Sequence, residues 1–587
     1  MTILQSLTRA YDRLVARQEV PSFGFSNQNI GFCLSLNPDG TLVGPPHDIR
    51  LPGKKLVARV MEVPSPPKRA AGVDPCFLWD KTSYVLGVTG DEKKLKDEGK
   101  RLKAEHQAFK DYHLRALAQS DDPGLHAFVL FLQAWKPDDF NAWPDDLRLK
   151  LLDQNIVFAL ESERLHNVYL HDRPAAKRLW ATLGSESEGA SAICLVTGES
   201  APVTRLHPSI KGVWGGQTGG GSIVSFNLDA FTSYGHEQGD NAPVSEAAAF
   251  AYTTALNKFL EKGSHNRVQI GDASTVFWAE APEVETATLA EAMFADMFEV
   301  DEAAEAKNQI KPILDAIRKG EPLYRVAPKL AEGVKFYVLG LAPNAARISI
   351  RFWYESSFGN LTQNYQHFLA DMQIDPPDPK GTPALWHYLR ETAVLGKAEN
   401  VPPNLAGDWM RAILTGGNYP LTLLNAILVR IRADGKINAR RVAILKAMLI
   451  RTLSSKEAPV ALDPKNENKG YLLGRLFALY EYIQTAAMDY KINASVKDKF
   501  YAAASAQPRK IFPLLERGSA NHLSKIGKQK PGFKINLEKQ VAAILELMQP
   551  DADPFPIAFS PQEQALFGLG YYHQRNEFFK KAEGTAQ

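Results

Sequence analysis

Sixteen residues beginning at Gly212, GVWGGQTGGGSIVSFN, hold six glycines, one tryptophan and no carboxylate. Glycine lets a backbone come into contact with another molecule, and successive free N–H groups in such a loop can donate to phosphate or base-edge oxygens. Arg205, His207, Lys211, Trp214 and Gln217 frame the run. Cationic and amide donors beside a ring able to stack or wedge suit a nucleic-acid groove or backbone better than a small metabolite. The candidate contacts are Arg205, Lys211, Trp214, Gly215, Gly216 and Gln217, with Asn241 in the nearby GDNAPVS turn. The same glycines fit a second reading equally well, a tight β-hairpin whose packing leaves no room for side chains. A nucleotide site is a poor match. GGQTGGG lacks the lysine that would reach a terminal phosphate, and in GVTGDEKK an aspartate, Asp91, follows Gly90 where a phosphate loop needs lysine.

Covalent chemistry finds little support. His171-Asp172 is the kind of doublet used by metal-dependent phosphohydrolases, with His166 five residues earlier, but such sites need further ligands from other helices. Ser222 lies outside a G-x-S-x-G elbow, and Cys33, Cys76 and Cys194 form no CxxC pair. Buried free thiols, no metal, no cofactor and no catalytic centre are the expectation. A metal-dependent nuclease using His171 and Asp172 is the alternative.

A second chemistry-bearing stretch is basic. Arg509, Lys510, Arg517, His522, Lys525, Lys528, Lys530 and Lys534 crowd together with few acids, and Gly527 and Gly532 read as flexible joints. Charge spread in this way neutralises phosphates without reading sequence. The formal net charge of +2 conceals a division: residues 401–587 hold 26 Lys+Arg against 16 Asp+Glu, about +10, which leaves about −8 for the rest. Lys68 and Arg69, in a loop begun by prolines, are further candidates for minor-groove or phosphate contact.

The elements that must position these residues divide in two, and the expected class is α+β. With 45% hydrophobic and 23% charged residues and no long apolar run, the chain reads as soluble, without a membrane span and cytoplasmic. Ile3, Leu7, Tyr11 and Leu14 mark an amphipathic first helix that does not resemble a signal peptide. Alternating runs around PDG predict a hairpin between residues 23 and 61, and YVLGV reads as a strand. Leu95, Leu102, Phe109 and Leu114 predict a solvated helix with one buried stripe. Residues 123–180 read as mainly helical, EAAAFAYTTALNKFLEKG as a helix, and VQIGDASTVFWAE as a strand with a central turn. A hairpin around APN follows, with Ile348, Ile350 and Phe352 on one face and Arg347, Ser349 and Arg351 on the other. Beyond about residue 385 nearly every segment is helical. The expected domains are therefore a mixed β-rich and helical region, 1–385, and a basic helical bundle, 386–587.

FLWDKTSYVLGV, the block from CLVTGESAPVTRLHPSIKGVWGGQTGGGSIVSFN through EAAAFAYTTALN, RISIRFWYE and GYLLGRLFALYEYIQ together resemble one family. It is the large subunit of the type I-C CRISPR Cascade complex, in the Cas-eight group. The resemblance implies a non-catalytic subunit at the foot of an RNA-guided complex. Such a subunit recognises the protospacer-adjacent motif (PAM) in duplex DNA, promotes unwinding and R-loop formation, holds the displaced strand and supports recruitment of a helicase-nuclease. Implied partners are the CRISPR RNA-bearing backbone and foot subunits, small subunits, target duplex and displaced single strand. The first region would then serve PAM sensing and docking. The bundle would resemble the small subunit, with Arg509, Lys510, Arg517, Lys525, Lys528 and Lys530 as non-target-strand candidates. In this family a separate small-subunit product arises by internal translation. Here it would start near residues 448–465, at Met448 or near Val460, because Met488 would cut away the GYLLGRLF helix.

Overall fold

The structure, a computed structural model, describes residues 2–579 apart from 53–55, 68–71, 186–190, 233, 299–306, 380, 382, 403, 457, 490–492 and 549–552. Packing divides the chain into two compact units, residues 1–208 with 225–255, and residues 209–224 with 256–587.

In the first unit α1 (Ile3–Ala16) begins at a capping box: the Thr2 hydroxyl accepts the Gln5 N–H, and the Gln5 side chain accepts the Thr2 N–H. Leu7, Tyr11 and Leu14 are buried. Strands β1 (Phe25–Ile30), β2 (Phe32–Leu36), β3 (His47–Asp48), β4 (Arg59–Pro64) and β5 (Trp79–Lys81) follow, then a single turn α2 (Thr82–Val85) and the long α3 (Glu92–Ala116). Next come α4 (Pro123–Ala134), α5 (Asp145–Leu151), β6 (Asn155–Leu160), α6 (Glu161–Arg164), α7 (Pro174–Ser185) and the short β7 (Ser191–Ile193) and β8 (Ser200–Pro202). Helix α8 (Glu246–Phe259) starts in this unit, and its last turn belongs to the second.

The PDG turn forms, with the Gly40 N–H donating to Asn37 O, and its flanks pair antiparallel as the expected hairpin, Leu36 with Leu42 and Phe32 and Cys33 with Asp48 and His47, although the hairpin strand β3 is short and the later apolar run becomes a separate strand, β4. Every residue of β2 is buried, and a strand buried on both faces needs neighbours on both edges: β2 pairs parallel with β6 and antiparallel with β3, while β1 pairs with β4. Alternate residues then feed two cores. Phe32, Leu34, Ile156 and Phe158 pack on one side, and Cys33, Val157 and Ala159 on the other with Met61 and Val63. Strand β6 lies within the stretch read as mainly helical, because an unbroken apolar run such as NIVFAL carries no period. YVLGV is not a strand either: the Leu86 N–H closes a helical turn on Thr82 O. The stripe of α3 is also shifted. Leu95 is exposed, whereas Glu105, Phe109 and His113 are buried, Glu105 held by Lys94 at 2.6 Å and Arg101 at 3.1 Å. All three cysteines are free and buried.

The second unit is built on an antiparallel sheet ordered β12-β11-β10-β9, from β9 (Arg267–Ile270), β10 (Ala273–Glu280), β11 (Lys335–Asn344) and β12 (Arg347–Ser357). Gly271, at φ +61°, makes the central turn expected between β9 and β10. A bulge between Gly340 and Leu341 corrects the expected facing of β12. Ile350 stands opposite Leu341 but Phe352 opposite Gly340, so the extra residue, Arg351, reverses the alternation. Cross-strand partners share a face, which places Ile348 and Ile350 with Leu341 and Pro343, and Phe352 and Tyr354 with Gly340 and Val338. The Phe352 ring lies over Gly340, where a Cβ would overlap it.

Helices α9 (Val284–Phe298), α10 (Lys307–Arg318), α11 (Leu323–Val326), α12 (Pro328–Ala331) and α13 (Phe358–Met372) share a core with one face of the sheet, that of Phe277, Phe336, Val338 and Phe352. From α14 (Leu385–Arg390) onward the described residues form helices only: α15 (Leu405–Thr415), α16 (Leu421–Asp434), α17 (Ala439–Arg451), α18 (Lys469–Ala487), α19 (Val496–Ala504), α20 (Pro508–Gln529), α21 (Pro531–Leu545) and α22 (Pro561–Glu577). The chain is thus mixed α and β in its first part and helical in its last. One core runs from Phe277 and Phe336 of the sheet to Leu445 and Phe567 of the helices, so the change of composition near residue 385 falls inside the second unit. Helices α18 and α22 cross at glycines: a Cβ on Gly474 would overlap Phe567 O, and one on Gly570 would overlap Tyr471 O. No helix among the described residues is long and apolar enough to cross a membrane.

Candidate nucleic-acid interface

The glycine run belongs to the second unit, as a hairpin whose stem is the antiparallel bridge Ile210–Gly221, with N–H···O distances of 2.8 and 2.9 Å. Three anchors fix it. The Asn257 side chain accepts the Lys211 N–H at 2.7 Å and donates to Ser209 O at 3.1 Å. Ser274 Oγ on β10 accepts the Trp214 N–H at 2.9 Å. The returning arm pairs with the start of β12, the Ile348 N–H donating to Ser222 O at 3.0 Å. Beneath the hairpin a cavity of only about 10 Å³, barely one water, remains against Pro343, Arg347 and Ile348.

The glycines of the run divide into those that packing requires and those it leaves open. Gly212 and Gly220 adopt φ of +83° and +87°, and a Cβ on either would stand 2.6 Å from a carbonyl oxygen, of Leu260 and Ile210 respectively. At Gly221 a Cβ would meet Ile348 at 3.1 Å. These are demanded by packing. Gly219, by contrast, has nothing within 4 Å of its Cβ position, and Gly215 only Pro343 at 3.6 Å. The amides of Gly215, Gln217, Thr218 and Gly219 have no hydrogen-bond partner among the described residues, whereas Gly216 and Gly220 donate within the hairpin. The tip therefore exposes backbone donors beside Trp214, which is 64% exposed, and the exposed side chains of Lys211 and Gln217.

The other candidates fall elsewhere. Arg205 and Asn241 lie in the first unit, brought together by the turn Gln238–Asn241. Gly239 of that turn packs so closely that a Cβ would be 3.3 Å from Arg205 Cα. Arg205 is exposed, and Asn241 donates to Gln238 O at 3.2 Å. His207 is no phosphate-facing cation: its Nδ1 shares a 2.6 Å hydrogen bond with the Tyr252 hydroxyl, and burial pulls its pKa down to about 4. Lys68 and Arg69 lie outside the described residues.

The basic stretch is helical and not a string of flexible joints: Arg509 to Lys528 lie on α20 with Gly527 inside it, Lys530 caps its end, and Gly532 and Lys534 fall at the start of α21. At 100° per residue Lys510, Arg517 and Lys528 fall within about 20° of one another, with Lys525 beside them. Ile511, Phe512, Leu515 and Ile526 occupy the opposite, buried side. Lys510, Arg517, Lys528 and Lys530 are exposed and have no charge partner among the described residues. Arg509 differs, since its guanidinium is paired with Asp553 and donates to Phe555 O.

His171 and Asp172 are occupied structurally. The His171 ring is 1% exposed and stacked on Tyr169 at 5.7 Å, and burial lowers its pKa. Asp172 accepts the Tyr169 N–H at 3.3 Å and so caps the turn Leu170–Asp172. Among the described residues no three His, Cys, Asp or Glu side chains are grouped to hold a metal ion. Sequence reasoning missed Asn257 and Ser274, the residues that fix the hairpin; the only signal was a polar Asn in the alanine-rich α8.

Comparison with known proteins agrees with the family resemblance. Among curated proteins none matches the chain. The family model described as CRISPR-associated protein (Cas_Csd1) matches residues 7–579. With nearly its whole length matched, the chain belongs to the Csd1 family of CRISPR-associated proteins, the large subunits of type I-C complexes.

Proposed function

We propose that this chain is the DNA-engaging, non-catalytic large subunit of a type I-C Cascade, working in the cytoplasm. The Ser209–Val224 hairpin senses the PAM in duplex DNA, and the exposed stripe of α20 holds the displaced strand. The observation that carries the reading is the hairpin tip, where unpartnered amides, Trp214 and Gln217 project from a base fixed by Asn257 and Ser274. Rigid backbone donors contact phosphates or base edges, and an exposed indole can wedge a base step and begin unwinding. Guide RNA pairing then reads the target. Arg205 and Asn241 supply further contacts from the first unit, as do Lys68 and Arg69. The guide-bearing backbone and foot subunits, small subunits and the helicase-nuclease are the partners, the last supplying cleavage.

The test is a reconstituted complex with guide RNA, offered duplexes with cognate or scrambled flanking motif. Trp214→Ala and Gln217→Ala should abolish the preference for the cognate motif while assembly persists; hairpin variants that discriminate as well as the native complex refute the reading. With divalent metal and no helicase-nuclease, the complex should leave the duplex intact.

The last helices also suit a separate small-subunit product. A start at Val460 keeps α18 to α22 whole, and one at Met448 adds part of α17, whereas Met488 follows the end of α18. Mass spectrometry of the purified complex should find this fragment, and its absence would remove the idea.

A further inference from the structure

Beside the hairpin lies an open groove of about 630 Å³, within the second unit, lined by Ser209, Lys211, Gly212 and Gly219 on one wall and by Asn257, Leu260, Glu261 and Lys262 on the other. The second wall is the end of α8 and the residues after it. A helix C-terminus and a glutamate should repel phosphate, but both are neutralised locally. The Leu260 carbonyl accepts the Arg267 guanidinium at 3.0 Å and is covered by Gly212. Glu261 is paired with Lys258 at 2.9 Å. What remains is Lys211 on one wall and Lys262 on the other, both exposed and without a charge partner among the described residues. On the wall of Lys211 stands Gly219, whose amide is unpartnered among the described residues and whose Cβ position is empty.

We infer that this groove seats the sugar–phosphate backbone of one strand of duplex DNA, with Lys211 and Lys262 as its two charge contacts and Gly219 as the point of closest approach. The inference rests on the reading that the hairpin engages duplex. Two cations lining one solvent-open trough suit a polyanion, which gains by releasing counterions, better than a free small anion. A backbone seat contributes affinity and register while the tip supplies discrimination.

Lys262→Ala in the assembled, guide-loaded complex tests this, with duplex affinity measured from about 50 to 300 mM salt on cognate and scrambled motifs. One lost phosphate contact should flatten the slope of log K against log salt by about 0.9. It should weaken both duplexes by the same factor, about 3- to 10-fold at low salt, and leave their ratio unchanged. Lys262→Arg should restore the native slope, and Lys262→Glu should weaken binding further. An unchanged slope for Lys262→Ala, while Trp214→Ala still abolishes motif preference, overturns the groove and leaves the hairpin reading intact. Motif preference lost in Lys262→Ala also overturns it, since a backbone contact cannot read bases. If neither variant has an effect, both the groove and the hairpin reading fall.

Discussion

Gly219 and Gly220 are neighbours in sequence, yet the structure assigns them opposite sensitivities. Gly220→Ala forces a side chain into the left-handed region at φ +87°, which costs about 1–2 kcal/mol. Its Cβ would also stand 2.6 Å from Ile210 O, and relieving that overlap adds about 1 kcal/mol. The strain falls on the stem itself, because Ile210 and Gly221 exchange both bridge hydrogen bonds. If the hairpin opens locally, about 2–3 kcal/mol raises amide exchange at Ile210 and Gly221 roughly 30- to 140-fold. Gly219→Ala meets nothing within 4 Å and should leave exchange at both amides within about 2-fold. Hydrogen exchange read by mass spectrometry or NMR on the full chain reports both. Equal effects of the two substitutions, or protection surviving in Gly220→Ala, would refute the argument that packing selects these glycines individually. Because Gly219→Ala should spare the stem, a loss of DNA affinity in that variant can be ascribed to blocked approach and not to misfolding.

On α20, replacing Lys510, Arg517 and Lys528 together by alanine should flatten the salt dependence of single-strand binding by about 2 in log–log slope, about 0.7 per phosphate, without change in helix content by circular dichroism. Arg441, 4% exposed at its side chain, joins Glu391 at 2.9 Å and Asp434, whose carboxyl these bonds hold below its usual range although burial works the other way. Arg441→Leu leaves Asp434 to Arg430 and Glu391 to Asn438, and should cost about 1.5–3 kcal/mol in denaturant unfolding of the second unit; a loss below about 1 kcal/mol would contradict it. With Asp434 depressed in the folded state, the stabilisation is present above its unfolded pKa, near 4, and is lost as pH falls. In the first unit burial pushes His113 down to about 3, against the Phe109 carbonyl it bonds, while its Nε2 accepts the Leu78 N–H at 2.9 Å. Below about pH 6.5 the unfolded chain takes up a proton that the folded ring refuses, so stability should fall from there toward pH 3 and stay level above. NMR titration should find the ring neutral at pH 5, and a protonated ring in the folded state would defeat the assignment.

By itself the sequence determined what local chemistry controls. The amphipathic α1 followed from spacing, the β9–β10 turn from glycine, the β11–β12 pair from its apolar runs, and the helical last part from long apolar segments divided by short polar or proline-containing connectors. The family followed from a long shared block, and an exposed tryptophan and basic stretch from composition. Tertiary structure decided what depends on partners distant in the chain. NIVFAL is a central strand only because β2 and β5 supply its edges. One inserted residue in β12, invisible without its β11 partner, moved Phe352 to the opposite face from Ile350. The glycine run shows the division within sixteen residues. Its flexibility was written in the sequence, but which glycines are held by packing and which are left open was decided by Leu260, Ile210 and Ile348, because a Cβ is excluded only where another atom already stands.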